Sequence, residues 1–353
     1  MKVIIPVSHA DVQLLPGLVK IIQSIGGLSS HDVTILGTAT VRQQVDEAVA
    51  ELTNHCKSIR AVHWEMDNNR PWPQAQNFMW QQALIQVGLQ EANGDSQPWY
   101  FMELDSCPIK PGWMDTIERR YVMSGARFGG MVCQPKAKLN DDTYTSNRII
   151  PGQPENIPYL AGPAIYPPSC AQTIRGLWRS LPSDIPWDMF LRYTITKNGI
   201  CNIPEMEHRW RTHNYTEGKD GTLTCESVKI EPQFTDYAGT IGKDAVLVHG
   251  CKDTSLQDII LTRYPYIKAE APTPPLTETP AAAAIKPPAP IEPAAIQRPG
   301  KKNVNFDRGL AREFDIKMAN TEQIEAVIEA KPQKKSTAKK TAGKKSSRWA
   351  ALA

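Results

Sequence analysis

In Trp99-Tyr100-Phe101-Met102-Glu103-Leu104-Asp105-Ser106-Cys107-Pro108, four large apolar residues lead into two carboxylates two positions apart, and Lys110-Pro111-Gly112-Trp113 follows. A short apolar run bounded by turn residues reads as a buried strand over residues 99–104. Side chains two apart on a strand point the same way, so Glu103 and Asp105 are expected to converge where that strand ends. Convergent carboxylates suit a hard divalent cation that also holds phosphate oxygens. A solvated strand end that is merely acidic is the competing reading.

Outward from this segment, residues 1–7, 32–37, 59–65 and 127–132 also read as strands, each a short apolar or β-branched run. Helical patterns separate them. Residues 12–25 place Leu14, Leu15, Leu18, Ile21 and Ile22 near one face, and residues 41–55 do the same with Val45, Val49 and Leu52. Strand and helix in alternation predict an α/β fold, a Rossmann-type, mostly parallel sheet flanked by helices. In such sheets ligands bind at the carboxyl ends of the strands.

The chain has 353 residues, 41% of them apolar, enough to build a sizeable core. Its longest apolar stretches fall far short of the roughly 20 residues of a membrane-spanning helix, so no membrane insertion is expected. The opening Met1-Lys2-Val3-Ile4-Ile5-Pro6-Val7 reads as a first strand and not as a signal peptide. Seven cysteines at scattered positions, with no C-x-x-C pair, favour reduced thiols and a cytoplasmic location. The α/β domain is expected over residues 1–265. Residues 268–300 are rich in Pro and Ala and too poor in large side chains to fold, which predicts a disordered linker. Residues 301–330 include a short segment of helical character, and residues 331–353 form a basic disordered tail. The tail holds eight lysines and arginines and no acid, and subtracting them from the net charge of +3 leaves −5 for the rest.

Four further segments bear chemistry. Ala245-Val246-Leu247-Val248-His249-Gly250-Cys251-Lys252 reads as an apolar strand ending in a histidine, and imidazole beside carboxylates fits Mn²⁺; a structural histidine is the plainer alternative. Ile185-Pro186-Trp187-Asp188 begins a helix, where Asp188 is equally a first-turn acid or N-cap. Tyr159-Leu160-Ala161-Gly162-Pro163-Ala164-Ile165-Tyr166 reads as a small-residue loop, or a tight turn before a strand, in which Gly162 permits close backbone approach. Pro6-Val7-Ser8-His9-Ala10-Asp11 closes the first strand, with Asp11 as a possible cap.

Together with Glu103 and Asp105, these segments fall in an order that resembles the GT-A glycosyltransferases over residues 1–265. The strand-end acids are similar to that family's D-x-D motif, which binds a divalent metal and the diphosphate of a nucleotide sugar; Glu103 departs from it, so Asp105 is the safer counterpart. The resemblance implies Glu103, Asp105 and His249 as ligands of Mn²⁺ or Mg²⁺. It also implies Asp188 as the catalytic base of an inverting transfer, with Asp184 as rival, and Lys252 beside the diphosphate. Donor contacts are implied for Ser8, His9, Asp11, Gly162 and, from the loop after the third strand, Asp67 and Arg70, with Asn77 beyond it. There is no G-x-G-x-x-G, Walker A, G-x-S-x-G or H-E-x-x-H motif, which argues against dehydrogenase, kinase, esterase and zincin chemistry.

The tail is similar to the Lys/Ala-rich tails of histone-like proteins, and closely spaced lysines bind polyanions by releasing counterions. Enzyme domain, linker and tail together look like phage-type enzymes that glycosylate 5-hydroxymethylpyrimidines in DNA. The implied partners are a nucleoside-diphosphate sugar donor and a DNA acceptor, and the implied activity is hexosyl or pentosyl transfer in the host cytoplasm. His208-Arg209-Trp210-Arg211-Thr212-His213-Asn214-Tyr215 either lines a DNA-facing groove or is a packed strand with a charged outer face. The alternatives are transfer to a surface glycan or protein, and a non-catalytic DNA-binding protein.

Overall fold

The computed structural model describes residues 1–65, 70–71, 73–133, 157–174, 176–227 and 238–266, the side chain of Trp210 excepted. Asp67, the linker, the 301–330 segment and the basic tail lie outside the described residues. The first half of the fold alternates strand and helix: β1 (Lys2–Val7), α1 (Leu15–Ile25), β2 (Asp32–Thr38), α2 (Arg42–Leu52), β3 (Ser58–Trp64), α3 (Gln74–Ala92), β4 (Trp99–Phe101) and β5 (Ser106–Pro108). Next come α4 (Trp113–Ser124), β6 (Phe128–Cys133), β7 (Tyr159–Tyr166), α5 (Cys170–Thr173), α6 (Trp187–Lys197) and β8 (Ile200–Asn202). The last elements are β9 (Met206–Glu217), β10 (Leu223–Ser227), β11 (Gly239–Thr240), β12 (Leu247–Cys251) and α7 (Ser255–Arg263).

The large sheet has the order β3-β2-β1-β4-β7-β6-β8. β3, β2, β1 and β4 run parallel, and β7 is antiparallel to both neighbours. A second sheet, β11-β10-β9-β12-β5, is mostly antiparallel except for the β9–β12 pair. The chain is thus mixed α/β with a mostly parallel main sheet.

Period-2 geometry explains why β4, and β1 beyond Lys2, are apolar on both faces. Val3, Ile5, Val7 and Tyr100 enter the core shared with α1, α2, α4, α7 and the second sheet. Ile4, Trp99 and Phe101 enter the opposite core, built with α3 and α6. A strand covered on both faces has no polar side, which gives a continuous apolar run.

That second core is aromatic. Trp80 of α3 stacks on Trp187 at the start of α6, with centroids 5.0 Å apart and planes 6° from parallel. Phe101 meets Trp187 edge-on at 5.9 Å, and Trp99 stacks on Tyr166 at 4.3 Å. The indole of Trp187 therefore pins the first turn of α6 to the end of β4. Trp187→Ala should cost about 3–5 kcal/mol of stability in urea denaturation, the range for truncating a buried large aromatic. Val122→Ala, at a residue 66% exposed, should stay within about 0.5 kcal/mol.

Candidate active site

β4 ends earlier than the apolar run does. Met102 N–H still donates to the Ile4 carbonyl, 2.9 Å, but residues 103–105 form a turn closed by Ser106 N–H on the Glu103 carbonyl, 3.0 Å. β5 then enters the second sheet. Glu103 and Asp105 converge through this turn, not through strand alternation, because the chain leaves one sheet for the other here. The Asp105 carbonyl accepts the N–H groups of both Gly250 and Cys251, each at 3.0 Å. Gly250, at φ +97°, gives β12 the irregularity that lets two successive N–H groups reach one oxygen.

This clasp brings His249 against the turn. Its Nε2 lies 2.7 Å from Glu103 Oε2 and 3.3 Å from Asp105 Oδ1. His249 sits inside β12, not at its end. Lys252 Nζ holds the other oxygen of Asp105, Oδ2, at 2.5 Å. Gln76, in the first turn of α3, donates through Nε2 to Glu103 Oε1. His208, paired with His249 across β9 and β12, places its Nδ1 2.9 Å from His249 Nδ1, the rings stacked at 5.0 Å.

The charges perturb one another. Burial alone would raise the Asp105 carboxyl, but Lys252 and His249 outweigh it and hold the group well below the ordinary range. Burial alone would lower His249, yet Asp105 and Glu103 bring it up to about 9. Burial, and then the charge of His249, push His208 down to about 3, so it is neutral beside its partner. Lys252 is raised against its own burial by Asp105 and Asp11. Asp11 is raised by burial and then by the charge of Asp105.

Glu103, Asp105 and His249 each offer one ligand atom, all within 4.8 Å of one another. Adjacent ligands on an ion with bonds of about 2.1 Å sit about 3 Å apart, close to the two separations from His249 Nε2. Two hard oxygens and one imidazole form a donor set suited to Mn²⁺ or Mg²⁺. The residues present fit such an ion.

Gly162 lies against this group. It belongs to a continuous strand, β7, and not to a loop or a turn before one; its φ of +48° and the nearby shift in β6–β7 register disguise it. A Cβ added there would fall 2.4 Å from His249 Cε1 and 2.6 Å from Glu103 Oε2. The Gly162 N–H also donates to the Asp188 carboxylate. Asp188 stands in the first turn of α6, where its Oδ1 also accepts the N–H of Met189, 2.8 Å. Burial, followed by the charge of Glu103, pushes it up to about 7.

Other expected residues fall differently. Asn77 is buried in α3, with its amide spent on the protein: Nδ2 donates to the carbonyls of Pro182 and Ile185, and Oδ1 accepts Trp187 N–H at 2.7 Å. It orients the segment before Asp188 and has no group left for a donor. The Asp11 side chain caps nothing. Ser8 is half-buried and His9 exposed in the turn after β1. Arg70 is exposed, its guanidinium over the Phe78 ring at 4.9 Å. Asp184 is exposed. The 208–215 segment is the packed strand β9, with Thr212 and Tyr215 buried and Arg209 paired to Glu207 at 2.9 Å. Nothing in the sequence pointed Gln76 or His208 to this group, since only the packing of α3 and the pairing of β9 with β12 bring them there. All seven cysteines are free thiols.

No family model matches the chain, and no curated protein matches it in sequence. Among solved structures it is similar to galactosyltransferase LgtC in complex with donor and acceptor sugar analogs, at 11% identity and TM-score 0.41, covering 70% of this chain and 86% of that one. It is also similar to mouse xyloside xylosyltransferase 1 in its apo form, at 11% identity and TM-score 0.38, covering 71% and 98%. A third is 4-diphosphocytidyl-2C-methyl-D-erythritol synthase from Anaerococcus prevotii, at 9% and 0.38, covering 57% and 85%. Scores and identities are low, so the functional reading comes from the site's own geometry.

Gly162→Ala should lower stability by about 1–2 kcal/mol, the cost of a left-handed backbone for a residue with a Cβ. It should also weaken Mn²⁺ binding, because the methyl enters the space between Glu103 and His249. Thermal denaturation and calorimetric Mn²⁺ titration measure the two effects. Unchanged Mn²⁺ affinity would show that this close approach does not shape the site.

Proposed function

We propose that the chain is a metal-dependent, inverting GT-A-type glycosyltransferase that moves a hexose or pentose from a nucleoside-diphosphate sugar to an acceptor hydroxyl. One observation carries this reading. A single glycine, Gly162, touches both a two-carboxylate and histidine group and a carboxyl whose pKa is pushed up to about 7. Separate metal-ligating and proton-accepting groups this close match a reaction that expels a diphosphate while an alcohol is deprotonated.

In this reaction the acceptor oxygen attacks the anomeric carbon as the bond from that carbon to the donor phosphate breaks. The bonding electrons leave with the diphosphate, and the acceptor proton passes to Asp188. A base with a pKa near the working pH is well matched to that transfer. A divalent cation held by Glu103, Asp105 and His249 would neutralise the charge gathering on the leaving diphosphate. Lys252 adds a cation beside Asp105, and Gly162 lets the reacting groups approach the backbone. The nucleoside end of the donor is assigned to the turn after β1, with Ser8, His9 and Asp11; Asp67 and Arg70, which follow β3 in sequence, are further donor contacts, with Arg70 toward phosphate.

For the acceptor, we infer a hydroxymethylated pyrimidine in DNA. Its support is sequence alone: eight basic residues in residues 331–348, joined to the enzyme domain through a Pro/Ala-rich stretch. Such a tether raises the effective concentration of DNA near the site, and a hydroxymethyl group in the major groove presents a reachable nucleophile. Among the described residues no helix is long and apolar enough to cross a membrane.

Labelled sugar nucleotides, incubated with Mn²⁺ and either hydroxymethylated DNA or glycan acceptors, test the reading. Transfer to DNA is expected. Transfer to glycan alone removes the DNA acceptor, and no transfer or donor hydrolysis with any sugar removes the enzyme. Asp188→Asn should lower kcat by about 10²- to 10⁴-fold, the usual contribution of a general base. In the wild type, kcat/KM should rise as pH passes about 7, where Asp188 becomes the charged base; a flat profile would remove Asp188 from that role. Deleting residues 331–353 should make the dependence of log K for DNA on log salt shallower, by about 0.9 for each phosphate that the tail neutralises. An unchanged slope would exclude the tail from DNA binding.

A further inference from the structure

We propose that His208 is the positioning residue that fixes the tautomer of His249 and so makes its Nε2 a metal ligand. The inference rests on the metal-site reading above and deepens it. Its basis is the 2.9 Å approach of the two Nδ1 atoms. Two ring nitrogens at that distance hold one proton between them: one donates and the other accepts.

The other nitrogen of His249 decides which. Nε2 is the atom that faces Glu103 Oε2 and Asp105 Oδ1, at 2.7 and 3.3 Å. To bind a cation there it must present its lone pair, and a neutral imidazole then carries its proton on Nδ1. His249 Nδ1–H is therefore the donor, and His208 Nδ1 the acceptor. Metal-ligating histidines generally pass their second N–H to an oxygen acceptor; here a second imidazole takes that place.

The fold makes the arrangement rigid. His208 and His249 are direct partners in the parallel β9–β12 register. Their rings stack at 5.0 Å with planes 28° apart. β12 is itself tied to the metal-site turn through the Asp105 carbonyl. Swinging the His249 ring away from the carboxylates would break the Nδ1 hydrogen bond and the stack together.

The test is a series at position 208 with Mn²⁺ as the probe. Asn keeps a side-chain carbonyl near the place of Nδ1, so His208→Asn retains the acceptor; His208→Ala removes it. Mn²⁺ affinity, measured by calorimetry or by the spin-resonance signal of free Mn²⁺, should fall by about 10- to 100-fold in His208→Ala and return toward the wild-type value in His208→Asn. In the transfer assay, His208→Ala should raise the Mn²⁺ concentration for half-activity and leave kcat at saturating Mn²⁺ nearly intact. Wild-type affinity in His208→Ala, with binding abolished in Asp105→Asn, would overturn this inference and leave the metal site standing. Equal losses in His208→Ala and His208→Asn would also overturn it, since ring packing and not the acceptor would then matter. Failure of the wild-type protein itself to bind Mn²⁺ would overturn the metal reading and this inference with it.

Discussion

The site depends on one backbone carbonyl. Asp105 leaves the main sheet in a turn, and its C=O receives two N–H groups from the irregular stretch of β12. Buried backbone groups must find partners, and satisfying this one locks the end of β4 to the second sheet. The lock sets the spacing between the carboxylates of residues 103–105 and the imidazole of His249, far later in the chain. Without it, three potential ligands would hang from two independent elements. With it, they share a frame whose internal distances already lie near those a cation imposes, so little ordering entropy remains to oppose binding.

A second frame supports Asp188. Trp187 is buried between Trp80 and Phe101, and Asn77 holds both the Trp187 N–H and the carbonyls of Pro182 and Ile185. Aromatic packing sets the depth of the helix, while the asparagine sets the direction of the chain entering it. Gly162 joins the two frames, meeting Glu103 and His249 through its missing side chain and Asp188 through its N–H. A strand glycine normally weakens a sheet; here it is the position that both candidate groups touch.

β1, β2 and β3 were legible in the sequence because each is a short apolar run between turn residues, a pattern that survives without knowledge of its neighbours. The location of Glu103 and Asp105 was legible for the same reason, but the cause of their convergence was not: nothing in Phe101-Met102-Glu103 says that the chain changes sheets. Tyr159–Tyr166 read as a loop because glycine followed by proline imitates one, while the pairing with β4 and β6 that makes it a strand is non-local. A donor contact for Asn77 was what the resemblance implied, and its burial was hidden because α3 spreads its apolar residues around the helix and shows no clear stripe. The place of His208 beside His249 was not legible. Its role comes from strand register with His249, and cross-strand pairing leaves no trace in local spacing.

Electrostatics explains how so charged a site tolerates burial. Asp105 and His249 are both buried, and removing a charge from water costs several kcal/mol unless it is paired. Asp105 is paired twice, with Oδ1 toward His249 and Oδ2 toward Lys252. The two oxygens thereby acquire different duties. On the proposed reading, a cation entering between Glu103 and His249 takes over the role of the proton on His249 Nε2, while Lys252 keeps Oδ2 and its own charge. Lys252, held by Asp105 Oδ2, would then add a second positive centre beside such a cation. Asp11, whose carboxyl is raised by burial and by Asp105, lies within the field of the same lysine. The charges that follow β1 and β12 are therefore coupled, which on the proposed reading would link the parts of the site that take the nucleoside and the diphosphate of one donor.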